Sequence, residues 1–368
     1  MSFKLNVYVT SAVLLAACGS ASADCSSPLS AYASAIAFGS PTTGNGSPSY
    51  ILANHPECFG GGATTSQVQI NSTSFQQASA ISSALTSRFM TASSQPQASN
   101  ATKSMAAGSQ SAAWNAWGSL NNNDTRQDYV ATLGSGLTTA NANKILNTVL
   151  GADYALSPVM AVGVSAAFDS GDGSGSNGTT ANSISSKGYT LAPYFGMQFS
   201  PALAMDASLG FGKGDLNMSG NVKSEADRWF AAANLTYSQW MDKVQLTGKL
   251  GYLHGEENYS NSKVAGVAVG STAAKNQLDQ LRLGAQAGYW MDGFMPYAGL
   301  AYTNDLSRST TQIGASGDPI GKDAWVWTLG VNFFSLKSGF TGGIAYSQEE
   351  GRTNQKNNTV VANLSIRF

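Results

Sequence analysis

Charge is scarce in this 368-residue chain. Lys, Arg, Asp and Glu make up 11 % of it, and the formal net charge is -1. An ordinary soluble domain is about 25 % charged. A balance so near neutral offers no footprint for nucleic acid and no basic patch for a membrane surface. Histidine is scarcer still. His55 and His254 have no neighbour at metal-ligand spacing, and there is no H-E-x-x-H. No G-x-S-x-G and no P-loop pattern occurs. These absences disfavour an enzyme and imply no cofactor. Asp169-Ser170-Gly171-Asp172-Gly173 gathers too few carboxylates for calcium and reads as a solvated loop. His55 reads as a loop residue, and His254 as a lipid-interface or loop residue. Long apolar runs are missing too: past the first residues nothing approaches about 18 uninterrupted apolar positions, so no transmembrane helix is expected.

The first residues carry an export signal. Lys4 gives a positive start, Val7 to Ala17 is mostly apolar, and Ala21-Ser22-Ala23 supplies small residues for cleavage between Ala23 and Asp24. Leu15-Ala16-Ala17-Cys18 also reads as a lipobox, with Cys18 as a lipidated new N-terminus, and the two routes compete. Three cysteines are present. Either route removes or caps Cys18 and leaves Cys25 and Cys58, which in an exported chain suggest a disulfide, with two free thiols as the alternative. The bridge would close about 33 residues and stabilise by roughly 3–4 kcal/mol in the chain-entropy model.

Three zones follow residues 1–23. Residues 24–66 are rich in Ser, Gly, Pro and Ala, with turn signals such as Gly60-Gly61-Gly62. Residues 67–110 hold a helix and a linker. The helix is expected over 73–90, where Phe75, Ala78, Ile81, Leu85 and Phe89 recur at helical spacing. From 111 to 368 the period becomes two, as in Val244-Gln245-Leu246-Thr247-Gly248-Lys249-Leu250. These segments run to about ten residues, the length of a tilted membrane-spanning strand. Their polar face is Gly, Ser, Thr, Asn and Gln, and aromatics gather near strand ends: Tyr154, Tyr189, Phe199, Trp229, Tyr237, Trp240, Tyr252, Tyr289, Trp290, Tyr302 and Tyr346. Short breaks at Ser157-Pro158, Ser200-Pro201, Met241-Asp242-Lys243, Met291-Asp292-Gly293 and Leu336-Lys337-Ser338 alternate with longer polar loops near 124–141, 169–187, 213–225, 255–277, 304–322 and 348–356. That alternation is the mark of an outer-membrane barrel. The expected fold is all-β: an antiparallel transmembrane β-barrel of about 12 strands, preceded by a short helical or irregular region.

Trp114-Asn115-Ala116-Trp117-Gly118-Ser119-Leu120, then Leu150-Gly151-Ala152-Asp153-Tyr154-Ala155-Leu156-Ser157-Pro158 and Pro296-Tyr297-Ala298-Gly299-Leu300-Ala301-Tyr302, give residues 105–368 a resemblance to the autotransporter β-domain family of type V secretion. The resemblance implies inner-membrane secretion machinery, barrel-assembly machinery and outer-membrane lipid as partners. It also implies a bacterial outer-membrane translocator that exports or displays an N-terminal passenger. Residues 24–110 are short for a passenger, whose own ligand is not readable. No Asn-Asn pair lies between 67 and 111, so self-cleavage at such a pair is not carried over. A passive outer-membrane pore is the alternative reading. The apolar stripe ending Leu364, Ile366, Phe368 resembles the family's barrel-assembly signal. Asp153, Asp206, Lys249, Arg282 and Arg367 are expected to face the lumen. Residues 97–111, small and polar, are expected to thread that lumen, with the 73–90 helix at or beyond the extracellular mouth.

Overall fold

The computed structural model describes residues 77–86, 113–130, 138–177, 180–218, 222–261, 263–264, 267–268, 274–308, 320–335 and 339–368. The expectations for Cys18, Ala23, Asp24, Cys25, Cys58 and residues 97–111 lie outside these.

Among the described residues one helix, α1, covers residues 77–86. The strands are β1 (Trp114–Val130), β2 (Thr138–Ser157), β3 (Met160–Asn177), β4 (Thr180–Gln198), β5 (Leu203–Met218), β6 (Val222–Met241), β7 (Val244–Tyr259), β8 (Lys263–Val264), β9 (Val267–Ala268), β10 (Ala274–Tyr289), β11 (Phe294–Arg308), β12 (Asp323–Ser335), β13 (Phe340–Glu350) and β14 (Gln355–Arg367). The two-residue strands β8 and β9 form a small ribbon added to β6. The other twelve pair antiparallel in chain order, β7 pairs with β10, and β1 pairs with β14, which closes the ring.

Alternation fixes which face meets what, because successive side chains point to opposite sides of a strand. On β1 the buried side chains are Asn115, Trp117, Ser119, Asn121, Asn123, Thr125 and Gln127, nearly all polar. They face the lumen. On β3 the opposite parity carries Met160, Val162, Val164, Ala166 and Phe168, and on β14 it carries Val360, Ala362, Leu364, Ile366 and Phe368. Val164, Phe168, Val360, Leu364, Ile366 and Phe368 are among the large exposed apolar side chains. Met160–Phe168 is nine residues long; at about 3.3 Å per residue and a tilt near 40° it spans about 23 Å, the height of a lipid-facing band. Aromatics ring that band outward at both edges, Tyr154, Phe199, Tyr237, Tyr289 and Phe294 at the short-turn end, and Phe168, Tyr189, Phe211, Tyr252, Trp325 and Tyr346 at the other.

The strands do not stop where the band stops. The twelve strands of the ring run from 11 to 20 residues, and past the upper aromatics their outward positions become Lys144, Lys187, Lys213, Asp323 and Lys356. Much of what the sequence presented as long loops is therefore paired ribbon beyond the lipid. Asp169 to Gly173 is one case: it is β3, and Asp169 is buried, not a solvated loop residue. His254 points outward at this upper edge, 2.6 Å from Asp279 and packed on Trp229. The turns at the other end are tight. Asp292 and Gly293 both take positive φ, 46° and 101°, the twist that a two-residue hairpin needs and that Gly permits cheaply.

The seam between β1 and β14 is sewn along its lumen face by neutral side chains. Ser365 donates to Asn115 at 2.7 Å, Thr359 to Asn123 at 3.0 Å, Thr125 to Asn357 at 3.2 Å, and Gln127 to Gln355 at 2.9 Å.

Higher in the lumen one charged cluster ties three strands together. Arg228 of β6 donates to Asp169 of β3 at 2.7 Å and to Glu257 of β7, which also accepts from Tyr259 at 2.6 Å. To reach β3, the guanidinium lies across Gly214 of β5 and Gly188 of β4, where a Cβ would come within 2.3 Å and 2.1 Å of its nitrogens. Only glycine leaves that path open. Arg228→Leu leaves two carboxylates buried without their cation and is expected to cost roughly 3–5 kcal/mol. Replacing Asp169, Arg228 and Glu257 together by Leu is expected to recover most of that loss. Urea unfolding in lipid vesicles measures both; equal losses in the single and triple variants would contradict this role.

Candidate functional site

A closed ring of twelve strands leaves more room than eight strands, which fill with side chains, and less than a sixteen-stranded channel. Its bore suits one helix, about 10–12 Å across with side chains. Residues 77–86 read Gln-Ala-Ser-Ala-Ile-Ser-Ser-Ala-Leu-Thr. Six of the ten are Ala or Ser, so this helix is thin. Seven of its side chains are buried: Gln77, Ala78, Ala80, Ile81, Ser82, Ala84 and Leu85.

They are buried by the barrel itself. Gln77 donates to the Ser165 hydroxyl of β3 at 3.0 Å and to the Thr190 carbonyl of β4 at 3.3 Å. Ile81 and Leu85 belong to one apolar cluster with Val149, Ala167, Ala192, Phe230 and Leu253, all on the inward parity of β2, β3, β4, β6 and β7. Ser82 lies beside the Asp206 carboxylate of β5. The helix therefore sits inside the lumen, not at or beyond its mouth. The reason is that the wall is not uniformly polar. From β2 to β7 it offers an apolar strip that accepts the Ile81–Leu85 face. The sequence held the signal, since Val149, Phe230 and Leu253 fall on an inward parity where most neighbours are small or polar.

The five charged residues expected in the lumen take different roles in one region. Asp153 is buried and accepts from Asn115 at 3.0 Å and from the Tyr194 hydroxyl at 3.1 Å; Tyr194 in turn accepts from the Trp117 indole at 2.8 Å. Asp206 is buried and accepts from Asn234 at 2.8 Å. Lys249 lines a cavity beneath the helix and interacts with Asp206 and Arg282 through charge. Arg282 of β10 interacts with Glu349 of β13 through charge. Arg367 takes the inward parity with Ser365 at the short-turn end of β14. Sequence reasoning did not find Arg228, Glu257, Arg352 and Asp305. Arg352 donates to Asp305 at 2.7 Å and to Glu349 at 2.9 Å near the long-loop end. Arg228–Asp169 and Arg352–Asp305 join strands that are not neighbours, and their residue spacing carries no signal.

Trp240 and Trp290 also differ from expectation. They are not in the outward girdle; they turn inward at the short-turn end and pack edge to face, 6.4 Å apart, with Phe334 a further 5.3 Å on from Trp290. They line a cavity of about 170 Å³ together with Met295 and with Ala80, Ser83, Ala84 and Thr86 of α1. Thr86 at this end and Gln77 deeper in the barrel fix the direction of the helix: its N-terminus points toward the long loops.

Among the described residues no group of His, Cys, Asp and Glu is arranged to hold a metal ion. The arrangement is a closed polar tube with a helix seated in it.

Known proteins give the same picture. The family profile described as Autotransporter beta-domain matches residues 116–347. The fold is similar to the translocator domain of the autotransporter NalP from Neisseria meningitidis (TM-score 0.54, 12 % identity, 70 % of this chain and 89 % of that one). It is also similar to the transport unit of the autotransporter AIDA-I from Escherichia coli (0.52, 12 %, 79 % and 98 %) and to the β-domain of the Bordetella autotransporter BrkA (0.50, 14 %, 70 % and 100 %). At these identities the likeness is one of fold. A search of curated protein sequences gave no match.

Cysteines in place of Gln77 and Ser165, whose side chains are in contact, are expected to join through a short thiol crosslinker. A cysteine at Val164, which faces lipid, is expected not to join to Gln77→Cys. Gel mobility reads the result. No link at Ser165, with free labelling of the helix cysteine from outside cells, would remove the helix from the lumen.

Proposed function

Because the chain belongs to the autotransporter β-domain family, and so is an outer-membrane translocator barrel, we propose that it carries its own short N-terminal segment to the cell surface and holds it there. The observation that carries this reading is α1: the chain's own helix is seated in the lumen, anchored by Gln77, with its N-terminus toward the long loops. In such barrels the short turns face the periplasm and the long loops face outside. Residues before 77 would then leave the barrel at the outer surface.

The passenger is residues 24–66, closed by a Cys25–Cys58 disulfide and released from the signal segment at Ala23 or at Cys18. The seated helix acts as stopper and tether. It needs no bond-breaking chemistry, and the protein is read as non-enzymatic. Inner-membrane secretion machinery delivers the chain. Barrel-assembly machinery reads the Leu364, Ile366 and Phe368 stripe, which faces outward at the periplasmic end. Asp153, Asp206, Lys249, Arg282 and Arg367 make the wet wall around the helix. A passive pore is the competing reading, and the buried helix weighs against it, because the wide part of the bore is occupied.

An epitope tag inserted between residues 40 and 50 is expected to be removed by protease added to intact cells, with the barrel left whole. Full protection of the tag in cells whose barrel is folded would overturn display.

A further inference from the structure

Outward charge at the long-loop edge of the barrel falls into two sectors. From β14 through β1 and β2 to β4 and β5, the exposed side chains just past the apolar band include Lys356, Arg126, Lys144, Lys187 and Lys213. From β6 round to β13 they include Asp227, Glu256, Asp279, Asp323 and Glu350. The two sectors are also held differently. Tyr252 donates to Asp279 at 2.7 Å, Lys275 pairs with Glu256 at 2.8 Å, and Tyr302 donates to Asp323. The ion pairs of the basic belt are looser and open to water, Arg126 with Asp124 at 3.7 Å and Lys213 with Asp227 at 3.8 Å. Arg126 also stands directly opposite Lys356 across the β1–β14 seam, and like charges so placed repel. Asp172 and Asp215, opposite Lys144 and Lys187, stand four residues past Phe168 and Phe211, farther from the lipid than the belt.

Height decides what this belt meets. Lys144, Lys187 and Lys213 are each the next outward residue past an exposed apolar one, Leu146, Tyr189 and Phe211. Two residues rise about 5 Å at a strand tilt near 40°. A bilayer with about 30 Å of hydrocarbon and about 40–45 Å in all has a headgroup layer roughly 5–8 Å deep on each side. The belt lies in that layer, on the side of the long loops, which face outside. We infer that Lys356, Arg126, Lys144, Lys187 and Lys213 bind the phosphate groups of an anionic lipid in the outer leaflet. Phosphate oxygens accept from ammonium and guanidinium groups, and a phosphate between Arg126 and Lys356 turns their repulsion into a shared contact. Below it the acyl chains lie on the outward stripe of Leu146, Leu150 and Leu191. The acidic sector repels the same lipid, so bound lipid gathers over β14 to β5. The inference needs only the orientation of the barrel and is independent of display.

The experiment titrates the whole folded chain in detergent micelles with lipid A bearing two phosphates and counts bound lipid by native mass spectrometry. Heat-modifiable mobility checks that each variant is folded. Gln at all five belt positions is expected to weaken binding by roughly tenfold or more, since each cation near a lipid phosphate contributes separately. The milder pair Arg126→Gln with Lys356→Gln, which also removes the like-charge contact at the seam, is expected to weaken it by roughly threefold. Gln at Lys223, Lys243, Lys263 and Lys275, exposed lysines outside the belt, is expected to leave binding unchanged. Lipid A stripped of its phosphates is expected to bind as weakly as the five-site variant does. Undiminished binding by the folded belt variants would overturn the inference, as would equal weakening by the lysines outside the belt. Equal binding of the stripped lipid would remove phosphate as the recognised group. Displacement of the lipid by a like concentration of inorganic phosphate would show a site for free anions and overturn the lipid as its occupant.

Discussion

Lipid offers no partner to a backbone N–H or C=O, and each group left unmet there costs several kcal/mol. A sheet can satisfy that demand only by having no edge. Here the demand falls on the pairing of β1 with β14, which runs from Asn115 against Arg367 to Gln127 against Gln355. Everything else depends on that closure. With it, twelve strands fix a bore; without it, the outward stripe of Val360, Leu364 and Ile366 would lie beside an open row of polar groups. The four neutral side-chain bonds on the lumen face of the same seam add a preference for this register, because a shift of one residue would turn the lumen side chains of β1 outward, Asn115 and Ser119 toward lipid.

The bore then selects its contents. A helix of ordinary bulk would press on twelve strands at once; one that is mostly Ala and Ser does not. The lumen is also divided. Its β2–β7 side supplies an apolar strip to Ile81 and Leu85, and its β10–β14 side brings Gln286, Asn332, Thr341 and Asn363 around a cavity. The helix is held by one wall and only approached by the other. Toward the outer surface, Arg228 with its two carboxylates and Arg352 with Asp305 and Glu349 brace the two sides separately. Charge inside the tube is thus used mainly to join strands.

The barrel was legible because its rules are local. Alternation in Gln280-Leu281-Arg282-Leu283, short turns at Met241-Asp242-Lys243 and Met291-Asp292-Gly293, and the even return of the chain gave twelve strands and their faces. The lengths were less legible. Beyond the lipid the outward positions turn polar, as at Lys144 and Lys213, and a paired ribbon then resembles a loop. The helix had the right period, but its place depended on an apolar strip assembled from β2, β3, β4, β6 and β7. No single segment displays that strip. Trp240 and Trp290 were misjudged for a related reason: aromatics near strand ends usually face the interface, and only parity, counted from Gln245 and Gln286, shows that these two turn inward.

Conductance is the most direct measure of a closed tube with a seated helix. The whole chain, reconstituted in a planar bilayer, is expected to pass little current. The same chain lacking residues 77–86 is expected to form steady open channels of the size a twelve-stranded bore allows. Equal, large conductance from both would contradict a lumen stoppered by α1, and with it the tether on which display depends.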